Sequence, residues 1–537
     1  MNYVYEFLNN VPAEGYSTQT TGSFNQWFHR DVEINKLRRY KKADGTFTSW
    51  NISGPTNTAP KYWDNPYTEV YENVAHNAIQ RVYGSANAGY KILPGLKLSA
   101  IVRATFTTSN ADDRTASFTL NTPSFSNNET KFKETSYIGS LEYDKTFNDF
   151  SFRAGVFAEL FKQDRNDVST ATAGGFIVPN VYNVSNSLNE KVATNFISVK
   201  KVNSLYGYTN IGYKDLVFLD LSLRNDISSA LPQSDNSYVY GSASGSFVFS
   251  QLISNKKFLS FGKLRASIAR VGTDIDPYRT TETFPLGTNY VKSVNAVATT
   301  YSLQSVPNGA PGIFLKPTLS TSIEFGAELQ FLKNRIRLDA NYYKRDAKDQ
   351  ILNITTPGST GYNSVLGNAG NIRNWGYEFT LGGSPIRNKD WSWDADFNLG
   401  INKNEVVELD EGLTNLQVGL DGSNLSFGFV GSPAVSLNAR VGQPYGLIVG
   451  NGIKKDANGN RLVGDDGLYV TEDNMAIGNL LPKFTGGFSN AVSYKNFFFN
   501  FTLDFQKGGQ FISTTKMFTA GSGLSKETAG LNDKGNP

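Results

Sequence analysis

Histidine occurs only twice in the chain, as His29 and His76, and cysteine not at all. Acyl-transfer chemistry needs a nucleophile, a base and a group that orients the base, all at hydrogen-bond range. His29 stands in FNQWFHR beside Trp27 and Arg30, a setting that reads as a polar loop residue packed among aromatics. No G-x-S-x-G elbow, H-E-x-x-H pair or G-x-x-x-x-G-K-[ST] loop occurs. Without cysteine there is no disulfide, thiolate metal site or thiol nucleophile. No catalytic residue and no cofactor is expected.

One stretch has the residue types for a cation. DANGNRLVGDDG (456–467) offers hard oxygen donors at alternating positions, Asp456, Asn458 and Asn460, a candidate calcium set. Its glycine falls at the fourth position, whereas an EF-hand loop requires it at the sixth. Two successive turns in an outer loop account for the same residues.

A larger set of charges recurs at every second position of alternating runs: Arg103, Arg153, Asp220, Arg224, Arg265, Glu324, Glu328, Arg337, Asp339, Glu378, Asp394, Asp396 and Asp504. On one face of a sheet they could contact a second domain or a polar solute, or pair across strands and keep that face hydrated. Loop aromatics form a further set: Trp27, Trp50, Tyr62, Trp63, Tyr67, Tyr182, Tyr278 and Tyr290. Such rings could stack on sugars or pack on a partner.

The elements that must position these residues are strands. In WSWDADFNLGIN, Trp391, Trp393, Ala395, Phe397, Leu399 and Ile401 oppose Ser392, Asp394, Asp396, Asn398, Gly400 and Asn402. FFFNFTLDFQ (497–506), VFLDLSLR (217–224) and IRLDANYYK (336–344) obey the same period of two. Runs of nine to twelve residues match the ~9–11 that a tilted strand needs to cross a bilayer, whereas soluble strands average about 5–6. Apolar residues make up only 39 % of the 537, yet aromatics reach 13 %, with 37 Phe, 27 Tyr and 50 Gly. That mix fits aromatic-rich strands and polar loops. A net charge of +3 implies no nucleic-acid partner.

Tight turns recur at 93–96, 147–149, 213–216, 254–257, 332–335, 386–390 and 494–497, several flanked by Tyr, Phe or Trp. Long polar stretches alternate with them, at 107–136, 161–203, 225–237, 271–320, 346–374 and 403–483. Short turns on one side and long loops on the other is the plan of an all-β, transmembrane antiparallel β-barrel. Seven turns predict about fourteen strands. The segment 70–83 reads as a loop helix or as the start of the first strand. The expected organisation is a single barrel over 1–537: residues 1–79 mostly extracellular loop, 80–510 strands and their loops, 511–537 a final loop.

With the hairpins placed, several stretches resemble the SusC/RagA family of TonB-dependent outer-membrane transporters of Bacteroidetes. They are GSFNQWFHRDVEINKLR (22–38) with Trp50-Asn51, GKLRASIARVGTDIDPY (262–278), LKPTLSTSIEFGAELQFLKNRIRLDANYYKRDAKDQIL (315–352), NAGNIRNWGYEF (368–379) and IGNLLPKFTGGFSNAVSYKNF (477–497). The resemblance implies import of oligosaccharides or peptides across the bacterial outer membrane, amid lipid and lipopolysaccharide. It implies a SusD-like surface lipoprotein as lid, a possible dimer of transporter–lid pairs, and energy from TonB through a plug domain. On the polar wall it implies plug or solute contacts, and for Trp27, Trp50, Trp63 and Tyr278 contact with lid or ligand. The family barrel has 22 strands, preceded by a signal peptide and plug that are not recognisable here. The expectation is therefore a partial barrel, either the middle and later part of a longer polypeptide or one piece of a split barrel. A second reading is a SusC-like scaffold subunit of a larger outer-membrane assembly for secretion or barrel insertion.

Overall fold

The computed structural model describes residues 2–9, 24, 27–29, 31–285, 290–294, 297–301, 303–410, 412–419 and 435–530. Its frame is one antiparallel sheet of fifteen strands, each bonded to its neighbours in chain order. These are β1 (Asn2–Asn9), β2 (Ala75–Leu93), β3 (Leu96–Thr115), β4 (Ser124–Phe147) and β5 (Phe150–Ala171). Then come β6 (Val192–Tyr213), β7 (Val217–Ser228), β8 (Ser237–Phe247), β9 (Leu259–Thr273) and β10 (Thr318–Phe331). The last are β11 (Ile336–Lys348), β12 (Asn371–Arg387), β13 (Trp391–Glu408), β14 (Pro482–Tyr494) and β15 (Phe497–Gly508). Strands β1 and β15 are the two edges, so the described sheet is open.

All seven tight turns join consecutive strands at one end, and the long connections gather at the other. Rings and lysines mark the short-turn end. Trp391 meets Tyr494 at 4.4 Å, Phe150 meets Tyr213 at 4.7 Å, and Phe258 meets Phe331 at 5.4 Å. Lys145, Lys214 and Lys495 lie 4.9, 5.4 and 5.3 Å from the ring centres of Phe147, Tyr213 and Tyr494. Each ammonium thus sits over a ring beside its turn, a cation–π contact.

Three expectations change. The fifteenth strand is β1, which pairs with β2 from Asn2↔Tyr83 to Asn9↔His76, where a loop had been expected. Val4 and Leu8 share a face with Asn2 and Glu6 while Tyr3, Tyr5 and Phe7 fill the other, so the two faces of NYVYEFLN contrast too little to read as a strand. Second, much of the predicted loops 107–136 and 161–203 is paired strand, because β3 to β6 continue well past their apolar runs. On β4 the outward positions Tyr137, Leu141 and Tyr143 give way to Glu129, Lys131 and Lys133. Outward positions that turn charged lose the apolar contrast by which a strand is read, while the backbone ladder continues. Third, the stretch 403–483 holds a separate four-stranded sheet of Asn415–Gly419, Ser436–Arg440, Leu447–Ile453 and Thr471–Asn479. Its core, Leu409, Leu416 and Ala439, packs on Val406 at the outer end of β13.

The segment 70–83 proves to be both alternatives in turn. A helix Pro66–Tyr71 is capped by Asn65, whose side chain accepts the Tyr67 N–H, and β2 follows at Ala75.

Candidate functional site

Register decides which side chains share a face, since neighbours in a ladder point the same way. From β9 to β15 one row runs Arg265, Gly326, Asn341, Glu378, Gly400, Thr485, Gln506. From β3 to β9 another runs Lys97, Glu142, Gly155, Tyr208, Ser222, Ser242, Ala269. Followed strand by strand, all thirteen charges expected on one wall fall on this single face. The opposite face carries Leu141, Val156, Leu223, Phe325, Phe379, Leu381 and Leu503, all exposed. A groove of about 660 Å³ lined by Leu205, Leu221, Leu223 and Val239 opens on that apolar side.

Most of the wall's charges are paired. Arg265 grips Asp339 through two parallel bonds of 2.8 and 2.7 Å. Arg337 reaches Asp396 at 2.9 Å and Arg153 reaches Asp144 at 2.7 Å, whereas Arg373 and Asp346, paired at 2.7 Å, lie on the opposite face. Arg224 lies between Asp226 at 2.8 Å and Glu159 at 3.4 Å. Asp220 accepts from Asn210 and Ser244, Asp394 from Ser384 and Ser392, and Glu328 from Gln330. Arg103 stands opposite Ser85 and Ser136. Glu324 and Glu378 line a cavity of about 410 Å³ with Tyr343 and Arg345.

Glycine makes several of these contacts possible. In the row Arg337–Gly382–Asp396, the pair closes over Gly382, where a Cβ would lie 2.2 Å from the Asp396 carboxylate. Arg265 crosses Gly326 in the same way to reach Asp339, with its Nε 2.3 Å from where a Cβ would stand. Tyr343 crosses Gly376 to Asn402 at 2.8 Å, and Tyr208 crosses Gly155 to Glu142 at 3.0 Å. Sequence reasoning missed these glycines. They sit in the polar phase of the alternation, but their role depends on the strands on either side.

The loop aromatics are not one surface. Trp50 is only 7 % exposed, packed edge-on against Phe24 at 5.6 Å and His29 at 5.7 Å. It is the centre of a small loop core, so the reading of Trp50 as a lid or ligand platform is corrected. Trp27 and Trp63 are half-buried. Tyr278 is exposed, and its hydroxyl accepts the Val199 N–H at 3.2 Å. Tyr67 stacks on Tyr40 and Tyr71, and Arg114 lies 4.6 Å over Tyr182. The side chain of Tyr290 falls outside the described residues.

At the calcium candidate, Asp456 Oδ1 accepts the N–H groups of Asn458 and Asn460, each at 2.8 Å, and Oδ2 accepts Asn460 Nδ2 at 2.9 Å. Those bonds hold the Asp456 carboxyl below its ordinary range. The same oxygens that would ligate a cation are closing a turn. His76 meets Asp112 at 2.8 Å across β2 and β3, but Ser109 points to the opposite face and bonds Asn77. No serine–histidine–carboxylate relay forms there.

A family model described as TonB dependent receptor-like, beta-barrel matches residues 8–531. The chain belongs to that family. It is 28 % identical over 416 residues to TonB-dependent receptor P26 of Formosa agariphila, which covers 73 % of this chain and 40 % of that protein. Receptor P3 of the same organism is 24 % identical over 520 residues, 91 % of this chain and 50 % of the relative. TonB-dependent receptor SusC of Bacteroides thetaiotaomicron is 27 % identical over 239 residues, 40 % of this chain and 23 % of SusC. The solved RagAB peptide transporter superposes with a TM-score of 0.66 at 18 % identity, over 86 % of this chain and 50 % of that one. The chain therefore spans about half the length of the relatives it matches.

The SusC/RagA resemblance is thus borne out, and the sheet stands in the bacterial outer membrane. Its apolar face meets lipid, the ring-and-lysine end lies at the inner interface, and the long loops with their small sheets project outside.

Proposed function

We propose that the chain forms the lumen wall of a TonB-dependent importer for polar oligomers too large for porins, either oligosaccharides or peptides. The observation that carries this reading is the polar face that runs from β3 to β15 and is backed by an apolar one. Passage then needs no bond-making. A solute exchanges water for many weak contacts on a wall whose charges are largely neutralised in place. The loop cores at the outer end offer a floor for a SusD-like lipoprotein lid, and a TonB-coupled plug supplies the energy. RagAB, a peptide transporter by name, supports the peptide alternative.

The test is uptake. The gene is deleted in the native host, and labelled glycan and peptide oligomers above the porin limit are followed with and without a protonophore. Accumulation of one class should fall on deletion and on de-energisation. Unchanged uptake together with disturbed assembly of other outer-membrane proteins would replace import with the scaffold role.

A further inference from the structure

Between the outer end of the polar face and the segment that follows β9 lies a cavity of about 690 Å³. Lys200, Thr318, Ser320 and Arg345 line it from the wall, and Asp276 and Arg279 from the overlying segment. That segment is held down firmly. Lys200 Nζ reaches Asp274 at 2.6 Å and the Ile275 carbonyl at 3.1 Å, Ser228 donates to the other Asp274 oxygen, and Ile275 packs against Leu315 and Tyr238.

The three cations of this recess are not equivalent. Lys200 is neutralised by Asp274. Among the described residues, neither Arg279 nor Arg345 has a carboxylate within ion-pair distance, although Arg153, Arg224, Arg265, Arg337 and Arg373 each have one. Arg345 donates Nε to Ser320 Oγ, which uses one of the five N–H groups of its fork. Asp276 is the single acidic lining residue without an ion-pair partner among the described residues. The hydroxyl of Ser320 and the amide of Gln350 supply neutral donors, while the Thr318 hydroxyl is already given to the Asp349 carbonyl at 2.9 Å.

Two guanidinium groups outside any ion pair, set against the single free carboxylate of Asp276, leave the recess net positive and suit a planar or tetrahedral oxyanion, which arginine binds through paired N–H donors. We propose that this recess is an anion subsite that holds a carboxylate or sulfate group of the solute through Arg279 and Arg345. Naming the ligand as transported solute rests on the import reading; the anion preference does not. The adjoining inner cavity shares Ser320 and Arg345 but adds Glu324 and Glu378. The same group is therefore repelled one step deeper, so the subsite retains it at the mouth.

Full-length protein in detergent micelles is titrated calorimetrically with matched probes. These are trigalacturonate against maltotriose, a sulfated disaccharide against its desulfated form, and a pentapeptide with free against amidated C-terminus. At least one acidic probe should bind about tenfold more tightly than its neutral match, and the pair that shows the margin names the source of the anion. Arg279→Gln with Arg345→Gln should erase the margin, Asp276→Asn should widen it, and added salt should shrink it. Equal binding of every pair, or a margin untouched by the double variant, overturns the subsite. Heat-modifiable migration reports whether variants are folded; should the double variant misfold, the salt series and Asp276→Asn decide. Intact uptake without acid preference defeats the subsite alone, and acid preference without energised uptake defeats the import reading alone.

Discussion

At the scale of single residues, burial and draping over glycine set the properties of the wall and loops. Asp64, in the outer loops, accepts the Leu120 N–H at 3.0 Å, while its other oxygen is buried without a partner. Burial, with Glu69 nearby, pushes its carboxyl up to about 6. The folded loop then binds the proton more tightly than an unfolded chain at ~3.9, so loop stability falls as pH rises between those values and levels off above them. The exchange protection of the Leu120 amide should decline across that window, and Asp64→Asn should flatten the profile. Along the wall, Gly382→Ala should cost about 1–3 kcal/mol by overpacking the Arg337–Asp396 pair. With Arg337 and Asp396 both replaced by alanine most of that penalty should vanish, because the Asp396 oxygen at 2.2 Å and the Arg337 nitrogens at 2.8 and 2.9 Å are then all gone, as a mutant cycle in lipid vesicles would show. The charge pair alone, with both partners around 40 % exposed, is worth under about 1 kcal/mol. Polar and apolar faces were legible in alternation; the glycine partnerships were not, since each joins three strands that the sequence lists far apart.

At the scale of elements, turns were the most legible feature and loop strands the least. LPGL announces its hairpin because Gly95 adopts φ +87°, and a Cβ there would lie 2.5 Å from the Asp144 carbonyl. Gly95→Ala should destabilise by ~1–2 kcal/mol, read from urea unfolding in vesicles. The upper halves of β3 to β6 escaped notice for a different reason. Once Lys162 and Asp164 replace Val156 and Leu160 at outward positions of β5, hydrophobic contrast ends although pairing with β6 continues to Ala171. Trp50 misled for a related reason: a tryptophan in a loop looks available until the fold supplies Phe24 and His29 against it.

At the scale of the molecule, sidedness is the property most open to test. Leu381 on the lipid face and Thr380 on the lumen face are consecutive in β12. Leu381→Arg should cost ~2–4 kcal/mol near the bilayer midplane, whereas Thr380→Arg should leave vesicle-refolding stability almost unchanged. Equal costs would invert the assignment of faces. Both edges of the described sheet carry unpaired backbone groups that hydrocarbon cannot satisfy, so in the membrane each edge must be paired with a strand.

The side chains that close over Gly155, Gly326, Gly376 and Gly382 lie along the circumference of the wall instead of projecting toward its axis. Charge is thereby laid down as a thin, pre-neutralised veneer, and bore width is conserved. On the proposed import reading, an oligomer passing along this wall would meet dipoles already satisfied two strands away, a surface that wets it without gripping it. Those glycines would then control friction more than affinity.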